Sequence, residues 1–403
     1  MKTYIILALL ILFSFHSKAQ GNVGLYVNNF DEIVGNTTKE TELLEYAQAN
    51  GFNYLLLYKL HTIHTTMFLI DDIVQSAPLA NFIENAKLNY GILKVAAVGE
   101  KNSSFDKIKT YNSFFPAGSF KRFDVFNLEF EYWNTSKVNP GGYYCDTYLD
   151  GTYPCTIDGA FDFYIDQLSM LKAYGAENNI LIETYIGKLY VITNAQIAQL
   201  VQNTDRILVH YYRQSDVYNG DDADPSNDYS IYQYQTGHPD RIQQLATNVG
   251  AAGNTVTVMP IFSSRVAHMY AWLATHPLTQ PYDTYLNGID GFNDQVGAWK
   301  SQVNFDGYVW YRYTELLEIA VLSTTESEAY ENQNIYYNQY QKRIYFNNFD
   351  INSDAQIFDI HGKKITQFKI ATFYQIDKTM QKGVYFIKTQ NNNTIRNFKI
   401  LIY

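Results

Sequence analysis

The sequence predicts an α/β chain: a (β/α)8 TIM barrel followed by a small all-β C-terminal sandwich domain. Between residues 20 and 322, eight short β-rich runs alternate with longer helix-like stretches, and only short alternating strands follow. Most of the eight runs are almost continuously apolar, as strands covered on both faces are. A doubly wound open sheet is the main alternative, but no G-x-G-x-x-G turn follows the first run.

Each element of the barrel has its own stretch of sequence. The predicted strands are Gly24–Asn28, Phe52–Tyr58, Ile92–Gly99, Phe123–Trp133, Ile180–Gly187, Arg206–Arg213, Thr255–Phe262 and Gly307–Tyr313. The predicted helices between them include Lys39–Asn50, Leu79–Asn89, Ala160–Asn179, Asn194–Thr204, Arg241–Ala251 and Val296–Val303. Alternation of this kind is typical of parallel strands joined by helical crossovers.

Residues 1–19 are predicted to be a signal peptide, outside the fold. Lys2 gives a positive start, Tyr4–Phe15 is almost unbroken apolar sequence, and Ser17-Lys18-Ala19 supplies small residues before the cleavage point. The run is short for a membrane span, although an uncleaved anchor is an alternative. We therefore expect a secreted or outer cell-surface protein with no transmembrane segment after signal removal.

The composition argues against one class of partner. Lys and Arg number 30 against 40 Asp and Glu, and the net charge of −10 would repel a nucleic-acid backbone. The 36 Tyr, 25 Phe and 4 Trp make 16% of the chain aromatic. Tyr and Trp offer flat faces with a polar handle, which suit sugar rings as well as protein cores. We expect no nucleic-acid partner.

The two cysteines are predicted to form a disulfide. An exported chain meets an oxidising compartment, where Cys145 and Cys155 would pair and stabilise one local loop by about 3 kcal/mol. Two free thiols are the alternative. Tyr148 and Tyr153 lie in the enclosed loop, which is either a wall of a binding site or a plain surface loop.

The C-terminal segment is organised differently from the barrel. Polar residues 323–334 are predicted to be a linker, and residues 335–403 a sandwich of antiparallel strands. Three of its strands are predicted at Gln356–Ile360, Gly383–Lys388 and Phe398–Ile402.

This segment resembles the type A C-terminal sorting domain of the bacterial type IX secretion system. The matching features are an Ile-Phe-Asp-Ile-His-Gly-Lys-Lys turn beginning at Ile357, the strand Lys382–Phe386, and a basic-then-aliphatic strand at the end. The resemblance implies the type IX secretion machinery as a partner, with release or attachment at the cell surface. A carbohydrate-binding sandwich is the alternative.

The fourth predicted strand holds the richest set of polar residues. Because strand side chains alternate, Asn127, Glu129 and Glu131 face one side, which is the interior in a barrel. Glu131 lies nearest the C-terminal mouth, where barrel enzymes keep their sites. Two carboxylates about 6–7 Å apart at the backbone do not both ionise easily among apolar walls, so one is expected to hold a proton near neutral pH. A structural ion pair to Arg265 or Arg312 is the alternative.

The same strand resembles the signature of glycoside hydrolase family 18, the chitinases and endo-β-N-acetylglucosaminidases. The family pattern D-x-x-D-x-D-x-E followed by Tyr is met here by Asp124, Asn127, Glu129, Glu131 and Tyr132. Three other runs resemble family strands in order: Leu93–Glu100, Val209–Tyr212 and Gly307–Trp310.

The resemblance implies a role for each matching residue. Glu131 would be the general acid/base and would hold the proton near neutral pH, and Glu129 would orient the substrate's 2-acetamido group. That group attacks the anomeric carbon itself, in a retaining, substrate-assisted reaction that differs from the two-carboxylate scheme. Tyr211 would hydrogen-bond the acetamido carbonyl, and Trp310 would form the floor beneath the sugar. The substrate-binding set implied is completed by Asn127, Asp124 and Trp133.

The sequence therefore predicts a secreted or surface glycosidase acting on glycans or glycoproteins with β-linked N-acetylglucosamine. Asn127 stands where the family has an aspartate, Glu129 is one methylene longer than its counterpart, and Glu100 replaces a glycine. A non-catalytic glycan-binding pseudoenzyme is therefore the main alternative, and an adhesin without a sugar pocket is a third.

No cofactor and no metal is expected. The alternating acids Asp222, Asp224, Ser226 and Asp228 suggest half of a calcium loop, but Asn227 occupies the position of the required glycine, so a solvated acidic loop is favoured. His61 and His64 have no evident third ligand for zinc.

Overall fold

The computed structural model describes residues 21–149, 151–218, 229–232, 240–250, 254–325, 334–338, 342–347, 349, 353–359, 362–376, 380–381, 383–391 and 394–402. The predicted signal peptide and the acidic loop at 222–228 lie outside the described residues. The chain divides into two compact units: residues up to Ser263 with Leu278–Tyr313, and residues Ser264–Pro277 with Thr314–Tyr403.

The first unit is a closed barrel of eight parallel strands. Its strands, with three short ones that fall between them in the chain, are β1 (Asn22–Val27), β2 (Tyr54–Leu57), β3 (Lys94–Gly99), β4 (Val125–Leu128), β5 (Leu181–Ile186), β6 (Arg206–His210), β7 (Val217–Tyr218), β8 (Tyr229–Ser230), β9 (Val256–Ser263), β10 (Val303–Phe305) and β11 (Gly307–Tyr311). The order β9-β11-β1-β2-β3-β4-β5-β6 closes by pairing of β6 with β9. The predicted TIM barrel is confirmed.

Helices lie between the barrel strands as predicted, and the structure adds several that the sequence did not predict. The helices are α1 (Thr37–Ala49), α2 (Leu60–Thr66), α3 (Ala77–Asn89), α4 (Asp106–Ser113), α5 (Thr135–Val138), α6 (Ile157–Asn178), α7 (Asn194–Gln202), α8 (Arg241–Ala246), α9 (Tyr270–Leu273), α10 (Gln280–Asn287) and α11 (Tyr313–Thr325). Three of these helices, α1, α6 and α7, begin at side-chain caps, because Asn36, Thr156 and Thr193 each accept a first-turn N–H.

Two predicted elements differ from the structure. The predicted helix Val296–Val303 is a short 3-10 helix, Ala298–Gln302, that leads straight into β10. Helix α11 continues to Thr325, inside the stretch predicted as linker. In the described part of the chain, no helix has both the length and the apolar character needed to cross a membrane.

A buried polar network fills the interior of the barrel. The Glu183 carboxylate accepts hydrogen bonds from the Tyr54 hydroxyl and the Asn127 amide, both at 2.7 Å. Arg206 Nε lies 2.5 Å from the same carboxylate, and Arg206 Nη1 lies 2.6 Å from Asp306 Oδ2. Glu183 and Arg206 have no exposed surface. Because a buried charge is costly without its partner, this network fixes the pairing of the strands that supply it.

The second unit is all-β in its C-terminal part. Its strands are β12 (Asn334–Asn338), β13 (Arg343–Asn347), β14 (Asp354–Asp359), β15 (Lys364–Lys369), β16 (Phe373–Gln375), β17 (Gly383–Asn391) and β18 (Thr394–Ile402). They form antiparallel sheets in the orders β12-β13-β16 and β15-β14-β17-β18, whose apolar side chains share one core, including Ile344, Ile357 and Ile387. This confirms the predicted small all-β domain.

We expect Arg206→Met to lower the free energy of unfolding by about 3–5 kcal/mol, because it leaves the buried Glu183 carboxylate without its cation. Lys172→Met is the matched control, since Lys172 pairs with Asp205 at the surface and should contribute less than about 1 kcal/mol. Urea unfolding followed by tryptophan fluorescence measures both. Equal midpoints for the two variants would contradict this account of the barrel interior.

Candidate active site

The chain leaves β4 in a turn that brings two glutamates to the C-terminal mouth of the barrel. Strand pairing stops at Leu128, although Glu129 N still donates to Gly99 O at 2.8 Å. Tyr132 N then bonds to Phe130 O, and Asn134 N bonds to Glu131 O. The predicted strand Phe123–Trp133 is therefore shorter than expected. Both carboxyls nevertheless lie where barrel enzymes keep their sites.

Glu131 is held by a set of donors. Its Oε1 accepts from the Tyr185 hydroxyl at 2.6 Å. Its Oε2 accepts from Asn134 Nδ2 at 3.0 Å and lies 2.6 Å from Lys137 Nζ. Burial raises the pKa of this carboxyl, but the hydrogen bonds from Lys137, Tyr185 and Asn134 outweigh burial and leave the pKa below its usual value. Glu131 is therefore ionised at neutral pH.

Glu129 is the carboxyl that holds a proton. It accepts from the Tyr58 hydroxyl. Its pKa is raised to about 8: burial is the largest cause and the charges of Glu131 and Glu183 add to it, while the Tyr26 hydroxyl and the Lys137 charge act in the opposite direction. One of the two carboxyls therefore keeps its proton near neutral pH. That carboxyl is Glu129, whereas the sequence predicts the proton on Glu131.

Aromatic rings surround the two glutamates in an incomplete ring, which we call the aromatic collar. Neighbouring ring centroids lie 4.4–6.2 Å apart. Its members, in order around the mouth, are Tyr58, Tyr26, Tyr311, Tyr212, His210, Tyr185 and Trp133. Tyr58 at one end contacts Glu129, and Tyr185, next to Trp133 at the other end, contacts Glu131, so the two carboxyls lie at the gap in the collar. An aromatic wall beside carboxyl groups can stack a pyranose and bind its hydroxyls.

Gly187, just after β5, allows the collar to close. A Cβ at this position would lie 2.4 Å from His210 Nε2 and 2.8 Å from the Trp133 ring. Any larger residue would push these two rings apart, so the glycine is required by close approach.

Two residues implied by the family resemblance point away from the collar. Trp310 pairs with Leu25 and Phe262, packs against the Phe262 ring at 5.6 Å, and donates Nε1–H to Leu278 O. The Tyr211 hydroxyl bonds to Asp240 at 2.6 Å. Because side chains alternate along a strand, the inward positions belong to the adjacent residues, Tyr311 and Tyr212.

The remaining predicted site residues divide between the two ends of β4. Asp124 lies at the N-terminal end, 2.6 Å from Lys87 Nζ, and accepts from Val95 N, whereas the two glutamates follow the other end of the strand. Asn127 lies inside the barrel on Glu183, one layer below Glu129. Trp133 belongs to the collar.

The predicted disulfide between Cys145 and Cys155 is present. The neighbouring Tyr144 stacks on Phe130 with 4.2 Å between centroids, and its hydroxyl accepts from Glu131 N at 3.4 Å. Lys137 Nζ lies 4.9 Å from the centre of the Tyr144 ring. The disulfide loop therefore lies against the residues that hold Glu131.

The two tyrosines of the disulfide loop point in different directions. Tyr148 donates its hydroxyl to Glu100, on the loop after β3, and Tyr143 donates to the same carboxylate at 3.1 Å. Tyr153 instead bonds to Asp166 on α6 at 2.5 Å.

Several residues of the site had no place in the sequence prediction. Glu183 and Tyr185 alternate along β5 in the same way as the predicted pair on β4, a pattern that could have identified them. Tyr58 and Lys137 carry no comparable signal. Lys137, rather than either predicted arginine, is the cation found on Glu131.

The described part of the chain contains no group of three His, Cys, Asp or Glu residues that could hold a metal ion. His64 Nδ1 lies 3.6 Å from Asp71 and accepts from Ile70 N at 3.2 Å, so its position is explained by local contacts.

Comparison with protein-family models gives no match, and comparison with curated proteins gives none either. Among solved structures, a GH18 chitinase from Pseudoalteromonas aurantia is 14% identical over 75% of this chain and 99% of its own, with a TM-score of 0.38. The ICChI chitinase from Ipomoea carnea is 11% identical over 75% and 99%, with a TM-score of 0.36. Bacteroides uniformis beta-glucuronidase 2 is 8% identical over 95% of this chain but only 45% of its own, with a TM-score of 0.38.

This chain thus spans less than half the length of that glucuronidase. Structural similarity at TM-scores below 0.5 does not indicate an activity. The barrel is assigned from the pairing of the strands.

We expect the stability of the protein to fall by about 3 kcal/mol between pH 5.5 and 8.5 through Glu129. Unfolded glutamate ionises near pH 4.5 while the folded carboxyl keeps its proton to about pH 8, so ionisation opposes folding across this window. Glu129→Gln should remove the decline. Glu131→Gln should keep the decline but move its end to lower pH, because Glu131 itself titrates below this window while loss of its charge lowers the pKa of Glu129. Melting temperatures across the range test this, and parallel curves for the wild type and Glu129→Gln would contradict it.

Proposed function

We propose that this protein is a glycoside hydrolase acting on glycans that contain β-linked N-acetylglucosamine. The observation that carries the proposal is the pair Glu129 and Glu131 at the barrel mouth, one protonated and one ionised at neutral pH, inside a collar of aromatic rings. An acid and a carboxylate in one partly apolar site are the groups that glycosidic bond cleavage requires. That the substrate carries an acetamido group is inferred from the sequence resemblance to glycoside hydrolase family 18.

The proposed reaction begins with the proton on Glu129. A substrate acetamido N–H that donates to Glu129 favours the carboxylate form, because hydrogen bonding to a charged group stabilises the charge. The pair can then hold its proton on Glu131, which protonates the glycosidic oxygen. The acetamido carbonyl oxygen attacks the anomeric carbon as the bond to the leaving sugar breaks. Glu131 then removes a proton from the water that opens the cyclic intermediate and restores the acetamido group.

A glycan-binding protein without turnover is the second candidate. It is favoured by the ion pair between Lys137 and Glu131, which opposes protonation of the proposed acid. The outward positions of Tyr211 and Trp310 also remove two of the family's expected substrate contacts. This candidate keeps the aromatic collar as the sugar-binding surface.

Glu131→Gln should lower hydrolysis of N-acetylchitooligosaccharides or high-mannose glycopeptides by about 10²–10⁴-fold, the usual contribution of a general acid/base. Release of reducing ends measures the rate, and calorimetry measures sugar binding by the same samples. Turnover by the wild type that Glu131→Gln lacks supports the hydrolase. Binding without any turnover by the wild type supports the second candidate, and neither binding nor turnover removes both.

The collar makes a separate prediction about adjacent residues of one strand. Tyr311→Ala should weaken sugar binding about tenfold, because loss of one stacking ring removes roughly 1–1.5 kcal/mol. Trp310→Phe, which changes the outward neighbour, should leave the dissociation constant within about twofold. Titration of the two variants with N-acetylchitotetraose tests this. The reverse ranking would show that the inward face of β11 is assigned incorrectly.

Export and attachment through the type IX secretion machinery stay predictions. They are supported by the N-terminal apolar run and by the sorting-domain resemblance in residues 335–403.

A further inference from the structure

Lys137 places a positive charge at the mouth that neither the strand pattern nor the proposed reaction explains. Its Nζ lies 2.6 Å from Glu131 Oε2 and 3.4 Å from the Tyr144 hydroxyl. The lysine side chain is 35% exposed, so the ammonium contacts the candidate acid and remains accessible from solvent.

The position of this ammonium is fixed by its surroundings. It lies over the Tyr144 ring, which is stacked on Phe130 and adjoins the disulfide at Cys145. Asn134, one turn earlier in the chain, binds the same Glu131 oxygen as Lys137. A cation held over an aromatic face and beside a carboxylate is ready to bind an anion without a further loss of side-chain freedom.

This arrangement conflicts with acid catalysis by Glu131 unless Lys137 acquires another partner. A protonated carboxyl no longer attracts the ammonium, which would then lie half-buried without a counter-charge. The other groups that face Glu131 are the hydroxyls of Tyr185 and Tyr144, the amide of Asn134 and the carboxyl of Glu129. When the proton lies on Glu131, the ionised Glu129 interacts with Lys137 only through its charge, without the direct contact that Glu131 makes, so an anion carried by the substrate can replace the lost ion pair.

We propose that Lys137 selects glycans that carry a carboxylate on the sugar beside the cleaved linkage, such as the lactyl ether of N-acetylmuramic acid. The inference rests on the proposed function and names its substrate class. On binding, the substrate carboxylate replaces Glu131 as the partner of Lys137. The number of ion pairs is unchanged, and the single proton of the Glu129–Glu131 pair can then reside on Glu131.

The test compares three substrates of equal length: N-acetylchitotetraose, a peptide-free tetrasaccharide alternating N-acetylglucosamine and N-acetylmuramic acid, and the methyl ester of the latter. We expect the wild type to favour the free carboxylate over its ester at least about tenfold in kcat/KM, the size of a charge-assisted hydrogen bond. Lys137→Met should reduce this ratio to within about twofold, and Lys137→Arg should retain it.

Lys107→Met is the matched control. Lys107 is a more exposed lysine that pairs with Asp71 away from Glu131, so its loss removes the same charge from the protein as a whole. This variant should keep the wild-type ratio. A second readout is the pH profile on the neutral tetraose, where Lys137→Met should shift the limb due to Glu131 to higher pH. A purely structural role for Lys137 would not move that limb.

The results distinguish failure of the inference about Lys137 from failure of the hydrolase proposal on which it rests. Cleavage of all three substrates with equal kcat/KM, or a carboxylate preference that survives in Lys137→Met, overturns the inference and leaves the hydrolase proposal intact. No cleavage of any substrate overturns the hydrolase proposal. In that case the dissociation constants of the same acid and ester decide whether Lys137 selects the carboxylate. A ratio of the two constants near one would overturn the inference about Lys137 as well.

Discussion

The barrel is organised around the buried carboxylate of Glu183. It receives hydrogen bonds or an ion pair from residues of β2, β4 and β6, so it ties together strands from across the interior. A slip of any one strand by a single residue would leave part of this network unpaired in a medium of low polarity. The same charge raises the pKa of Glu129, one layer nearer the mouth. One buried anion therefore constrains both the register of the sheet and the protonation of the site.

Much of the fold and part of the site could be predicted from sequence because both depend on periodicity. Apolar runs identify strands covered on both faces, and the spacing of Glu129 and Glu131 places them together at one end of a strand. The side chains of Tyr211 and Trp310 point away from the collar for a related reason. A motif match aligns residue types along the sequence, whereas the pleat of the strand determines which face of the sheet each side chain points to. An offset of one residue therefore places a side chain on the other face.

The proton assignment could not be obtained in this way. The sequence indicates that two neighbouring carboxyls will differ in pKa, but the direction depends on which of them receives a cation. That cation, Lys137, comes from a short helix after an irregular turn, and Tyr144 supports it from the disulfide loop. Contacts between loops have no period that sequence analysis can detect, so the local electrostatics become readable only in three dimensions.

The gap in the aromatic collar has a stereochemical consequence. Rings from β1, β5, β6 and β11 and from the loops after β2 and β4 line the mouth, while both carboxyls lie in the opening between Tyr58 and Tyr185. A sugar ring has apolar faces and a polar edge, so under the proposed function a pyranose would enter with that edge toward the glutamates. Its anomeric configuration would thus be discriminated by shape before any bond is broken.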